Sequence, residues 1–144
     1  MRTGRRVPGE RGSLTLEFAV LAPGLLLLMG LLIVGGRVAI AGGSVQGAAR
    51  DAARTASIAR GAAEAQREGA ASASESLARQ GLRCSATTVD VATAGFAVPV
   101  GQPAHVRVDV TCRVELADLA LPGLPGSRTV EASATSPIDS YRER

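Results

Sequence analysis

The sequence predicts a membrane-anchored α+β chain, with a long N-terminal helix, transmembrane and then amphipathic, followed by a small antiparallel β-sheet. Three observations carry that expectation. Residues 18–36 hold no charge, the segment from Arg37 to about Gln80 is dominated by Ala, and from His105 to Leu116 polar and apolar residues alternate without a break. At about 1.5 Å per residue the uncharged run makes roughly 28 Å of helix, close to the ~30 Å hydrocarbon core of a bilayer.

Residues 1–12 form a basic leader, with Arg2, Arg5, Arg6 and Arg11 against Glu10. Basic flanks of a membrane segment stay in the cytoplasm, so the N-terminus is expected inside and everything after Arg37 outside, in a single-pass topology. Residues 13–36 are the transmembrane helix. Glu17 stands near its start, where an unpaired carboxylate is costly: about 2.5–3.5 kcal/mol at the bilayer centre and less near the interface. Either something recognises or pairs with Glu17, or its side chain snorkels out to the interface. Pro23 lies in the same segment, where it frees a backbone carbonyl and is expected to kink the helix.

Residues 37–81 read as an Ala-rich extracytoplasmic helix, Ala being the best helix former. Val38, Val45, Ala52 and Ala59 mark an apolar stripe, widened by Ala48, Ala49, Ala56 and Ala63. Arg50, Asp51, Arg54, Glu64, Arg67, Glu68, Glu75 and Arg79 occupy the other side, Glu75 and Arg79 as an i,i+4 pair in the favourable order. Side chains this small bury little area, so the helix needs a partner surface. Gly42-Gly43-Ser44 reads either as a hinge with Ser44 capping a second helix or as part of one continuous helix. Gly81 is the expected stop.

Residues 82–144 form the β domain. In the alternating stretch Val106, Val108, Val110, Cys112, Val114 and Leu116 face one way, and His105, Arg107, Asp109, Thr111, Arg113 and Glu115 the other, which is a half-buried strand. Further strands are expected at 85–91, 96–100 and 129–135, and a Pro/Gly loop at 121–126. The two cysteines, Cys84 and Cys112, both fall on the expected outer side. There an even pair reads as a disulfide, stapling the end of the helix to the best strand.

Composition removes several classes of function. The net charge of +3 resides in the leader, since past Gly12 the chain carries 12 Arg against 12 acids. Two Phe, one Tyr and no Trp leave no stacking platform for bases, so nucleic acid is not an expected partner. Two Cys and one His make a poor metal site, and no cofactor is expected. His105 reads as a solvated strand residue. No serine stands in a nucleophile elbow, no glycine loop cradles a phosphate, and Asp109 and Glu115 are spread along a strand. The chain is not expected to be an enzyme.

A basic leader ending in Gly12, followed by an apolar helix whose fifth residue is Glu17, resembles the site cut by prepilin peptidases. That resemblance implies cleavage after Gly12, a new N-terminus at Ser13, and Gly12, Ser13, Glu17 and Phe18 as the processing residues. Glu17 would then neutralise the α-amino group of a neighbouring subunit, since a buried charge becomes tolerable once paired. Glu17-Phe18-Ala19-Val20-Leu21-Ala22-Pro23, then Val45-Gln46-Gly47-Ala48-Ala49-Arg50-Asp51-Ala52-Ala53-Arg54, and the tail Val130-Glu131-Ala132-Ser133-Ala134-Thr135-Ser136-Pro137 are similar to the TadE-like family. Pro23 favours that family over the major pilins. The family implies a minor pseudopilin of the Flp, or tight-adherence, pilus or a related secretion filament. Its implied partners are the prepilin peptidase, other pilins and pseudopilins, the inner-membrane assembly platform and membrane lipid. Two other readings remain: an unprocessed signal-anchored binding domain, and a secreted protein cleaved after Ala41 at Ala39-Ile40-Ala41.

Overall fold

The computed structural model describes residues 11–115, 117 and 126–140. The expected leader therefore lies almost wholly outside the described residues, as do Leu116 and most of the expected 121–126 loop. The chain is α+β, as its sequence predicts. Helix α1 spans Arg11–Ser57 and α2 spans Ala62–Arg79; strands β1 (Ala86–Ala92), β2 (Ala104–Glu115) and β3 (Ser127–Ile138) follow. It divides into two compact units, Met1–Gly35 and Gly36–Arg144.

In the first unit α1 stands alone. Its apolar side chains face outward along the whole run, with Phe18 69% and Leu27 76% exposed. A Cβ added at Gly24, Gly30 or Gly35 would meet nothing within 4 Å. Pro23 is inside the helix and does not end it. Among the described residues this is the one helix long and apolar enough to cross a membrane.

In the second unit the chain makes two layers, a helical hairpin on one face of a three-stranded sheet. The expected single helix over 37–81 is corrected to two. Helix α1 continues through Gly42 and Gly43, so Ser44 is a buried mid-helix residue and not a cap. Two glycines in a helix cost about 1 kcal/mol each relative to Ala. Burial of their neighbours Ala41, Ser44 and Val45 offsets this. The chain turns instead at residues 58–61. Gly61, in extended backbone, is the N-cap of α2, and the Glu64 carboxylate reaches back to accept the Arg60 N–H at 2.9 Å. That acid in the first turn also suits the positive end of α2. Gly81, at φ 69°, closes α2 in a Schellman turn, the Leu82 N–H bonding the Leu77 carbonyl and the Gly81 N–H that of Ala78.

The two helices run antiparallel across the short turn at 58–61, and they pack closely because their facing sides are small. Ala48, Ala49, Ala52, Ala53 and Ala56 of α1 are buried, with Ala65, Gly69 and Ala73 of α2. A Cβ on Gly69 would come within 3.3 Å of both Ala56 and Val91, so glycine sets how closely α2 approaches α1 and the sheet. Ala63, expected on the stripe, is exposed, because the stripe does not continue past the turn.

The sheet order is β1-β2-β3, antiparallel throughout. Val106, Val108, Val110, Cys112 and Val114 are buried toward the helices, as their alternation predicts. The strand expected at 96–100 is absent. Ala94–Ala97 form a 3₁₀ turn that places Phe96 in the core. Gly95 packs against β2 so closely that a Cβ there would overlap the His105 carbonyl, and Pro99 removes a ladder donor from the same short run.

Candidate functional site

The N-terminal residues singled out by sequence all lie on α1. Gly12 and Ser13 are in its first turn, and Glu17 and Phe18 follow about one turn later. Glu17 is exposed and makes no ion pair or hydrogen bond with a described residue. It opens a helical surface made of Leu, Ile, Val, Met, Ala and Gly with Phe18 and Pro23. Burying that surface in lipid or against other helices would release a large hydrophobic free energy, about 25 cal/mol per Å² removed from water. A carboxylate at its border is then a charge in search of a partner.

The second unit is tied by polar contacts across its hairpin and by one covalent bond. Ser76 Oγ donates to Asp51 Oδ2 at 2.7 Å, Thr55 Oγ1 to Ser72 Oγ at 3.1 Å, and Gln80 Nε2 to the Ser44 carbonyl at 3.3 Å. On the sheet side Ser136 Oγ donates to Ser57 Oγ at 3.0 Å, and Gln46 Nε2 to the Ser133 carbonyl on edge strand β3 at 3.1 Å. Cys84 and Cys112 form a disulfide with their Cα atoms 5.4 Å apart. It ties the segment after α2 to the C-terminal half of β2, the staple expected from the sequence. A crosslink closing a loop of this length contributes about 3–4 kcal/mol.

The outward face of the sheet is polar. Asp90 on β1, Asp109 on β2 and Ser133 on β3 stand in one cross-strand row. Arg107, two residues along on the same face, bonds Asp109 through Nε and Nη2 at 3.0–3.2 Å. The Arg107 hydrogen bonds hold the Asp109 carboxyl below its ordinary value, aided by Ser133, and Asp109 raises Arg107 in return. The guanidinium thus offsets two like charges placed opposite each other. His105 is exposed on this face. Among the described residues no three His, Cys, Asp or Glu side chains are grouped to hold a metal ion.

One grouping has no signal in the local sequence. Arg37, Ile40, Ala41 and Ser44 of α1 come together with Gln80, Gly81 and Leu82 around an open cleft of about 390 Å³. The two sides are 36 residues apart at Ser44 and Gln80. Only the fold-back at 58–61 joins them, and the sequence reads through that turn.

Residues 12–54 match the family model described as TadE-like protein. The match begins at Gly12 and ends three residues before α1 does. No curated protein and no solved structure matches the chain.

Proposed function

We propose that this chain is a membrane-anchored, TadE-like minor pseudopilin. A prepilin peptidase cuts it after Gly12, and it takes part in assembling a tight-adherence pilus or a related secretion filament. The observation that carries this reading is the family match over residues 12–54, which takes in the motif Gly12-Ser13…Glu17-Phe18 and the helix behind it. The exposed apolar surface of α1 supports it as the part that sits in the membrane and later packs against other subunits. The disulfide supports an extracytoplasmic second unit, because thiols in the cytoplasm are held reduced. The small-residue hairpin and sheet serve as the exported head, and no catalytic role is assigned to them. Partners of this reading are the peptidase, other pilins and pseudopilins, and the assembly platform.

The secreted alternative is disfavoured by Ala41, which is buried inside a continuous helix as part of the core of the second unit. Cleavage after it would strip Val38 and Ala41 from that core. The test is the N-terminal mass of the protein from membranes, with and without its prepilin peptidase. A peptidase-dependent start at Ser13 is expected. An intact leader in both strains would make the chain a plain signal anchor, and a start at Gly42 would make it a secreted domain.

A further inference from the structure

We infer that the outward face of the helical hairpin docks a second copy of this chain, paired about a two-fold axis along the hairpin. The inference goes beyond the assembly role proposed above and takes from it only that both copies are anchored in one membrane. Successive residues of a helix are about 100° apart. Arg54, nine residues after buried Val45, therefore points the opposite way, as does Glu68, nine residues before buried Leu77. Arg50 and Arg54 run along the exposed side of α1, and Glu68 and Glu75 along that of α2. The face turned away from the sheet is split lengthwise, basic on α1 and acidic on α2.

Neither arginine forms an ion pair or hydrogen bond with a described residue, nor does Glu68. As i,i+4 neighbours the two arginines repel each other, and their own hairpin does not offset it. Arg79, between the stripes, is paired within its own copy to Asp51 and Glu75. Among the described residues of the second unit, Ile40 and Ile58 are the most exposed large apolar side chains, at 70% and 80%. Ile40 is on α1 and Ile58 directly follows it; 18 residues make about five whole turns, so both come out on this outward face. A two-fold axis parallel to the hairpin keeps the Gly36 ends of both copies on one side, as anchoring in one membrane requires. It sets α1 of each copy against α2 of the other and preserves height along the hairpin. Asp51 is level with Ser76, and Thr55 with Ser72. Arg50 thus comes level with the partner's Glu75, and Arg54 falls between the partner's Glu68 and the partner's Glu75. Exposed ion pairs are weak one at a time, but the two-fold makes each of them twice, beside a line of isoleucine.

The experiment uses the full chain in mild non-ionic detergent, its mass in the micelle measured by light scattering across a concentration series. Wild type is expected to pass from monomer to dimer. Arg50→Glu with Arg54→Glu, or Glu68→Arg with Glu75→Arg, should each weaken self-association at least about tenfold, since either sets like charges face to face. An equal mixture of the two double variants should dimerise again, because one copy is then acidic on both helices and the other basic on both. Circular dichroism and the intact disulfide mass establish that each variant is folded. A wild type that stays monomeric overturns the inference. So does a dimer that persists in both double variants, which would place the contact on the apolar run 18–36. Failure of the mixture to form dimers overturns it as well. A different protein retained from the membrane in place of the second copy, and lost with the two arginines, would also overturn it. Resistance of the protein to alkaline extraction is scored in parallel. If the protein is extracted, the membrane reading fails; if it resists and stays monomeric, only this inference fails.

Discussion

Asp51 on α1 accepts a 2.7 Å hydrogen bond from the hydroxyl of Ser76 on α2, and the same carboxylate oxygen lies 3.8 Å from Arg79. Ser76 is buried while Asp51 is half in water, so the bond works at the border of an interface that is otherwise alanine and glycine. Packing of such small side chains leaves the relative position of two helices weakly specified. A directional contact of this kind sets the register between them.

Ser76→Ala should therefore destabilise the second unit by about 1–2 kcal/mol, the worth of a hydrogen bond to a half-exposed charged group. Gln80 Nε2 loses an acceptor in the same change. Denaturant unfolding of the full chain in detergent, followed by circular dichroism, measures it. Arg79→Gln should cost a few tenths of a kcal/mol, because its contacts to Asp51 and Glu75 are exposed. Equal effects of the two variants would remove the special standing of the Ser76 bond.

Two glycines should respond to alanine in opposite directions. At Gly42 an added methyl meets nothing within 4 Å and the backbone is helical, so Gly42→Ala should stabilise by about 0.4–1 kcal/mol. A hinge at that position would show destabilisation instead. At Gly95 the same methyl would overlap the His105 carbonyl of β2, so Gly95→Ala should cost about 3 kcal/mol or more, with backbone movement at the Phe96 turn. Thermal melts of the two variants side by side give both signs.

The disulfide should carry a large share of the stability of so thin a core. Cys84→Ser with Cys112→Ser should lower stability by about 3–4 kcal/mol, measured by denaturant unfolding with midpoint and slope both fitted, since the freed unfolded chain expands. Thiol alkylation followed by mass spectrometry on protein from the intact cell is expected to find both sulfurs blocked. Free thiols there would place the second unit in a reducing compartment.

Acid should weaken the sheet through Asp109. Its folded carboxyl titrates below the ordinary value because Arg107 and Ser133 bond its charged form. A depressed carboxyl contributes stability that is fully present above the unfolded value, near 3.9, and that fades as pH falls through the folded value. The carboxylate is largely solvated, so the effect is small in water. Thermal midpoints from pH 6 to pH 2 should fall less steeply in Asp109→Asn than in wild type. Parallel curves would show that Asp109 contributes nothing to the acid limb.

Much of this was legible in the residues. The β2 alternation survives because every residue on one face of that strand is buried and every residue on the other is exposed or half-exposed. The apolar run 18–36 and the stop at Gly81 were equally plain. The turn at 58–61 was not, because Ser57-Ile58-Ala59-Arg60 carries no proline and only Gly61 with Glu64 three residues on marks a new helix start. Phe96-Ala97-Val98 looked like a strand from its apolar content, but close packing of Gly95 on β2 decided its path. The cleft at Arg37 had no local signal at all, since it exists only when Gln80 returns to Ser44.

Processing and assembly, in the proposed function, are separable at the start of α1. Gly12 is in the first turn of a helix, and in the proposed function a peptidase must reach the backbone there. A bulky residue, as in Gly12→Leu, should leave the leader attached while the chain still enters the membrane, read as an unchanged precursor mass in the alkaline-resistant fraction. Glu17 is exposed on the same helix without a partner among the described residues. Glu17→Gln keeps its size and removes its charge, so insertion and cleavage should proceed. If Glu17 pairs with the amino group of a neighbouring subunit, losing that contact costs at least ~1.4 kcal/mol per junction, or about tenfold in assembly. Pilus output scored on shed filaments should drop by about that factor in Glu17→Gln while the mature mass stays at the Ser13 start. Normal output from a fully cleaved Glu17→Gln protein would leave Glu17 as an interfacial carboxylate and move the assembly contact elsewhere on the apolar face of α1.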